Sequence, residues 1–272
     1  MYPPQPTTPA PPAPPAQPPA GSSLSDVEYG GLLSLLKPSN DTTVTMLYRA
    51  SENENATTYT YLLDRVANEK DLAIVIRQDK YVFGVYISEG IQTPANPYES
   101  RKYQCEVFWF SLSGRYKEPT RIDIPWRVTC DVAGRNGTVR VGRHRSAARM
   151  YVGGLFLADV GSSRPAADIR ECSQKTRWDW LPEGYEGATE DYVSERNGGL
   201  PLGGSEFFVA DDIEVLQVSG EIADILPPLP TTPQPSTSPP PPPTTSTPEP
   251  NNSNPGADND NRTPYDNNTR AD

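Results

Sequence analysis

Apolar positions recur at helical spacing in two short stretches early in the chain and at strand spacing almost everywhere after them. In Asp26–Leu36, the residues Leu32, Leu33, Leu35 and Leu36 give one apolar side, Ser25 or Asp26 is available as N-cap, and Pro38 ends the run. A short helix is predicted there, against the weakening effect of Gly30 and Gly31. Thr43–Arg49 has the β-branched and aromatic content of a strand and leads into a polar turn from Ser51 to Asn55. From Ala56 to Glu69 the helical period returns, with Tyr59, Leu62, Leu63 and Val66 separated by polar residues.

The period then shortens. Leu72–Ile76 and Tyr81–Ile87 are apolar runs joined by Arg77-Gln78-Asp79-Lys80, which predicts an antiparallel hairpin. Cys105–Leu112 reads as a third strand closing at Ser113-Gly114, and Ile122–Val128 as a returning fourth. Gly134, Gly137, Gly142, Gly153 and Gly154 punctuate further short strands near Thr138–Val141 and Leu155–Leu157, and Glu206–Val218 is one last β-prone segment. Many short strands with two short helices predict a mainly β fold with flanking helices, arranged as a two-sheet antiparallel β-sandwich.

Composition divides the chain into one body and two tails. Ten of the 32 prolines fall between Pro3 and Pro19 and fourteen between Pro227 and Pro264. Such segments carry almost no large apolar side chains, so residues 1–23 and 225–272 are expected to be disordered, and residues 24–224 to form one domain. Leu226–Pro230 and the run Pro239–Pro243 have the chemistry of ligands for proline-recognition domains, or of passive linkers. The formal charge of −11 argues against nucleic acid as a partner. One basic stretch, Arg135 to Arg149, reads as a solvated edge or as a contact for an acidic protein or anion. No run reaches the length of a membrane span, so no membrane insertion is expected. Three isolated cysteines without a CxxC pair fit a reducing, cytoplasmic setting, and a monomer without cofactor is expected.

Several residues could carry chemistry. Alternation places Asp212 and Glu214 on one face of the last strand with Ala210 and Leu216. With Asp211 beside them, they can hold a metal or share a proton, face solvent, or accept backbone and arginine hydrogen bonds at a strand bulge. His144, the one histidine, lies in a polar loop. Cys105 opens a predicted strand, whereas Cys172 sits in a predicted loop near Arg170, Lys175 and Arg177, the electropositive setting a reactive thiol needs. Trp178, Trp180 and Tyr185 either anchor a partner or pin their long loop to the domain.

Four stretches read together carry a family resemblance: Met46–Ser51 (MLYRAS), Ala73–Tyr86 (AIVIRQDKYVFGVY), Val107–Ser113 (VFWFSLS) and Phe208–Val218 (FVADDIEVLQV). In this order the chain resembles a TLDc domain, the module of the oxidation resistance proteins, over about Leu33 to Val218. The resemblance implies two antiparallel sheets packed face to face, and signature positions at Gly84, Tyr86, Gly153, Gly154, Asp211, Asp212 and Glu214. It also implies a non-catalytic adapter that binds the vacuolar-type proton ATPase and protects against oxidative stress. The sequence departs from the family at Val85, where a second glycine is common, and in the longer, more polar stretch from Ser162 to Gly204. The competing expectation is a hydrolytic or peroxide-handling enzyme working from Glu214, Asp212 or Cys172.

Overall fold

In the computed structural model, which describes residues 17–37, 42–140, 147–187 and 199–220, helix α1 (Asp26–Leu36) starts and ends as its sequence predicts. Ser25 Oγ accepts from the Glu28 N–H at 3.3 Å, and the Glu28 carboxylate accepts from the Ser25 N–H at 2.9 Å, a reciprocal cap on two free donors. Gly31 allows a close approach: a Cβ there would lie 2.6 Å from Pro119 Cγ. The described residues belong to a unit spanning Met1–Leu229; a second unit, Pro230–Asp272, lies wholly outside them. Residues 1–16 of the first proline-rich run, Leu226–Pro230, Pro239–Pro243, Arg143, His144 and Arg145 are likewise outside the described residues, whereas Pro18 and Pro19 are within them.

Strand β1 (Thr43–Arg49) is as predicted, but helix α2 (Tyr59–Val66) is shorter than the apolar spacing suggested. Its N-terminus is set by Thr58, whose side chain caps the Tyr61 N–H, and the residues before it close into turns through Ala56 N–H to Asn53 O and Thr58 N–H to Asn55 O. At the end of α2, Ala67 turns extended (ψ 129°) and stops the helix, and Asn68 follows in a left-handed conformation (φ 66°). Strands β2 (Leu72–Gln78) and β3 (Tyr81–Ile87) form the expected hairpin, closed by two residues rather than four because Gln78 still pairs with Tyr81.

The run Cys105–Leu112 is β5 (Val107–Ser113); its first residue, Cys105, instead ends β4 (Ser100–Cys105), a strand that patterning does not predict, and the chain passes from one sheet to the other at Glu106. Two other runs that read as single strands are each two. Ile122–Val128 divides into β6 (Thr120–Asp123) and β7 (Val128–Ala133), interrupted at Pro125, which has no N–H to offer a ladder. Between these and the chain's last segment lie β8 (Val139–Arg140), β9 (Ala147–Ala148), β10 (Met150–Val152), β11 (Leu155–Leu157), β12 (Glu171–Gln174), β13 (Thr176–Arg177), a 3-10 turn over Trp178–Trp180, and β14 (Gly199–Leu200). Glu206–Val218 divides into β15 (Phe207–Val209) and β16 (Asp212–Ser219). Ala210 therefore does not share a face with Asp212 and Glu214: it joins the inter-sheet core, and the chain changes sheets immediately after it.

The first sheet has the order β1-β16-β2-β3-β5-β6 and the second β15-β12-β11-β10-β7-β4, with antiparallel pairing throughout. Strand alternation sorts the first sheet's side chains into two cores. Ile74, Ile76, Phe83, Val85, Trp109, Ile213 and Val215 face the second sheet, where Cys130, Val132, Met150, Val152, Leu155 and Leu157 meet them. Ala73, Val75, Tyr86, Phe108, Phe110, Leu216 and Val218 point the other way and are covered by Leu24, Tyr29, Leu32 and Leu36 of the α1 region. The fold is mainly β with flanking helices. Among the described residues no helix is long and apolar enough to cross a membrane.

Candidate functional site

On β16 the alternation that turns Ile213 and Val215 into the inter-sheet core turns Asp212 and Glu214 toward the α1 side. Glu214 is 1% exposed, and both of its oxygens are taken: Ser22 Oγ donates at 2.6 Å and the Ser23 N–H at 2.5 Å. Asp212 accepts from Arg49 Nε at 2.6 Å and from the Ser51 N–H and hydroxyl at 3.1 and 2.8 Å. Arg49 is the cross-strand neighbour of Glu214, with Nε 3.6 Å from its carboxylate, and it donates to the Gly21 carbonyl at 2.5 Å. A register shift between Met46 and Tyr48 lies just before this pairing.

A matching pair stands on β2, where Arg77 donates to the Ser23 carbonyl at 3.0 Å and to Glu28 at 2.9 Å. Burial alone would raise the Glu28 carboxyl, but hydrogen bonds from Arg77 and Ser25 together outweigh it and hold the group below its ordinary value. These contacts fasten Gly21–Glu28 to the α1-side face of the first sheet, across β1, β16 and β2. The carboxylates are occupied by backbone, serine and arginine donors rather than gathered around an open position, and among the described residues no group of three or more His, Cys, Asp or Glu is placed to hold a metal. Asp211 is separate from them, exposed and accepting from the Asp79 N–H at 2.6 Å.

Replacing Glu214 with alanine leaves the Ser22 and Ser23 donors unpaired. Urea denaturation of Glu214→Ala is expected to show a loss of about 1–3 kcal/mol. An unchanged stability would mean that these hydrogen bonds do not hold the segment.

The remaining signature candidates are packing positions. Gly84 lies in β3 where a Cβ would meet the Ile74 carbonyl oxygen at 2.1 Å and the Phe110 ring at 2.5 Å. Tyr86 stacks on Phe108 with ring centroids 5.1 Å apart and donates to Asp71 at 2.7 Å. Its phenol is pushed up first by burial and then by that carboxylate. Gly153 and Gly154 are the two turn residues between β10 and β11, with φ of 53° and 114°. Two successive positive φ angles define the tight hairpin turn whose twist matches its strands. The Gly153 carbonyl accepts from Trp109 Nε1 at 3.2 Å, which ties this turn to the first sheet.

Cys172 is not in a loop. It lies in β12, 1% exposed, its thiol donating to the Ile169 carbonyl at 3.1 Å, and burial pushes its ionisation far up. The neighbouring cations turn elsewhere: Arg170 pairs with Asp168, Lys175 with Glu206 and Arg177 with Asp179. Cys105 ends β4 rather than opening a strand, and all three cysteines are buried free thiols. In the basic stretch, Arg135 pairs with Asp64, and Arg149 donates to the Gly137 carbonyl with its guanidinium over the Tyr59 ring.

The tryptophans do reach the surface. Trp178 is 53% exposed, while Trp180 is partly buried and packs edge to face, at 5.3 Å, on Trp126, itself 51% exposed. Arg177 stands 5.4 Å above the Trp180 ring and is held by Asp179. Tyr185 is pinned by its hydroxyl to the Pro201 carbonyl at 2.7 Å. Of the two sequence alternatives for this loop, pinning to the domain holds for Tyr185, while Trp178 projects into solvent.

No protein-family model matches the chain. A search of curated proteins likewise finds no match. Trp126, read from sequence as part of a strand, is the member of this surface that linear patterning misses; the Pro125-Trp126 pair, a strand breaker followed by a large aromatic, is the signal that marks it. Arg49, Ser22 and Ser23 carry no local signal at all.

Proposed function

We propose that this chain is a non-catalytic protein-interaction module of TLDc type, acting as a cytoplasmic monomer. The observation that carries the reading is the exposed aromatic surface of Trp126, Trp178 and Trp180, since tryptophans that remain half-exposed on loops are favoured as anchors at protein interfaces. Further support comes from the carboxylates. Asp212 and Glu214, the natural acid–base candidates, are engaged in fastening the Gly21–Glu28 segment. The enzyme alternative through Cys172 meets a buried thiol whose ionisation is strongly disfavoured.

The partner the resemblance suggests is the vacuolar-type proton ATPase, with a role in oxidative-stress protection. Leu226–Pro230 and Pro239–Pro243 keep their sequence-level reading as ligands for proline-recognition domains. The test is equilibrium binding of the full chain to the purified catalytic sector of such a pump. Trp178→Ala combined with Trp126→Ala is expected to weaken binding about tenfold or more, the scale of losing an aromatic anchor, while the melting temperature stays within a few degrees. No binding by the unmodified chain would remove the pump as partner. A turnover abolished by Glu214→Gln in a still-folded protein would replace the adapter with the enzyme.

A further inference from the structure

The loop that leaves the tryptophan turn builds a second surface feature. Residues 183–186 face residues 116–120 across a cleft of about 360 Å3. Tyr116 and Tyr185 form an aromatic wall, packed edge to face at 5.9 Å. Glu118, Glu183 and Glu186 bring three carboxylates to the rim against one cation, Lys117, whose ammonium lies 3.9 Å from Glu186.

Two observations say what belongs there. Tyr116 lines the cleft yet is only 7% exposed, and its hydroxyl has no hydrogen-bond partner. A buried hydroxyl left unpaired in a folded protein calls for a partner, and a donor supplied from outside the chain is one way to provide it. The second is the treatment of Arg115 beside it. Its guanidinium lies 5.6 Å from the Tyr185 ring and 4.8 Å from the Tyr81 ring and donates to the Glu186 carbonyl at 3.2 Å, so the same wall already holds one guanidinium by ring contact and oxygen acceptors.

We propose that this cleft receives an arginine side chain presented by the partner protein. The proposal rests on the protein-interaction reading and specifies the chemistry of the partner at the same loop. A planar guanidinium suits the site in three ways: it lies against tyrosine faces, it bonds carboxylates in pairs, and its remaining N–H groups reach a neutral oxygen such as the Tyr116 hydroxyl. Lysine offers a point charge without the plane. The rim's excess of carboxylates and the chain's formal charge of −11 both draw a basic partner and repel an acidic one.

The test follows backbone amide shifts of the full chain by NMR while a capped Gly-Ser peptide with one central arginine is added at low salt. Saturable shifts at residues 116–120 and 183–186 are expected. Citrulline in place of the arginine keeps the shape, loses the charge, and should lower affinity about tenfold. Glu183→Gln and Glu118→Gln should each weaken binding about threefold or more. Tyr116→Phe removes only the unpartnered hydroxyl, so it should weaken arginine binding without lowering the melting temperature.

Equal binding of the citrulline peptide, or no effect of either glutamate substitution, overturns the proposal. Stronger binding of spermidine than of the arginine peptide overturns it in favour of a free polyamine. Trp178→Ala should leave arginine-peptide binding unchanged. Loss of pump binding with the arginine site intact therefore separates a wrong partner from a wrong cleft.

Discussion

Trp109→Ala is expected to destabilise the domain by about 3–5 kcal/mol, the range for truncating a fully buried large aromatic. Trp109 lies in the middle of β5, between Val85 and Ile122, and is 0% exposed. Its ring crosses the space between the sheets and its Nε1 donates to the Gly153 carbonyl in the β10–β11 turn. Alanine there opens a cavity that neither sheet can fill and leaves a buried carbonyl unpaired. Trp109→Phe restores most of the volume but not the hydrogen bond, so its loss should be smaller, about 1–2 kcal/mol. Urea denaturation at constant m-value measures both. A Trp109→Ala protein weakened by less than about 1 kcal/mol would show that the sheets do not depend on this joint.

Gly84→Ala is the second large effect, with an expected loss of about 3 kcal/mol from overpacking. The backbone of Gly84 is ordinary strand, so conformational freedom is not the reason for glycine here; space is. A Cβ would sit 2.1 Å from the Ile74 carbonyl oxygen on the paired strand and 2.5 Å from the Phe110 ring. The ring can move, but the carbonyl belongs to the β2–β3 ladder. Adding Phe110→Leu should accordingly recover only part of the loss. Recovery of full stability in the double variant would place the whole cost on the ring. Because Gly84 lies under Phe110 on the α1 side of the first sheet, partner binding should be unchanged at temperatures where the variant remains folded.

Local signals were legible where one neighbour decides the structure. The α1 cap depends on Ser25 and Glu28, three positions apart, and the β2–β3 hairpin on a polar link between two apolar runs. The sheet-changing corners at Glu106 and after Ala210 were not. The central strands β2, β3 and β5 are covered on both faces and read as apolar runs, and the acidic residue at each corner, Glu106 and Asp211, looks in sequence like one more polar position rather than the place where pairing partners change. Cys172 misleads for a related reason. Its cationic neighbours are close in sequence, but alternation along β12 and ion pairs with Asp168, Glu206 and Asp179 direct them away from the thiol.

The sequence by itself determined that this chain builds a mainly β body with two short helices and a loop rich in tryptophan, because period, capping and β-branched content act over a few residues. Tertiary structure decided what the candidate residues do. Glu214 meets Ser22 across 192 positions and Asp212 meets Arg49 across 163, which turns a pair of acidic residues into a fastening for the N-terminal segment. Trp126 meets Trp180, and Tyr116 meets Tyr185, only because antiparallel sheets bring distant loops to the same surface. Contacts of that range are set by which strands pair, and pairing is fixed by the burial of both cores together rather than by any one stretch of residues.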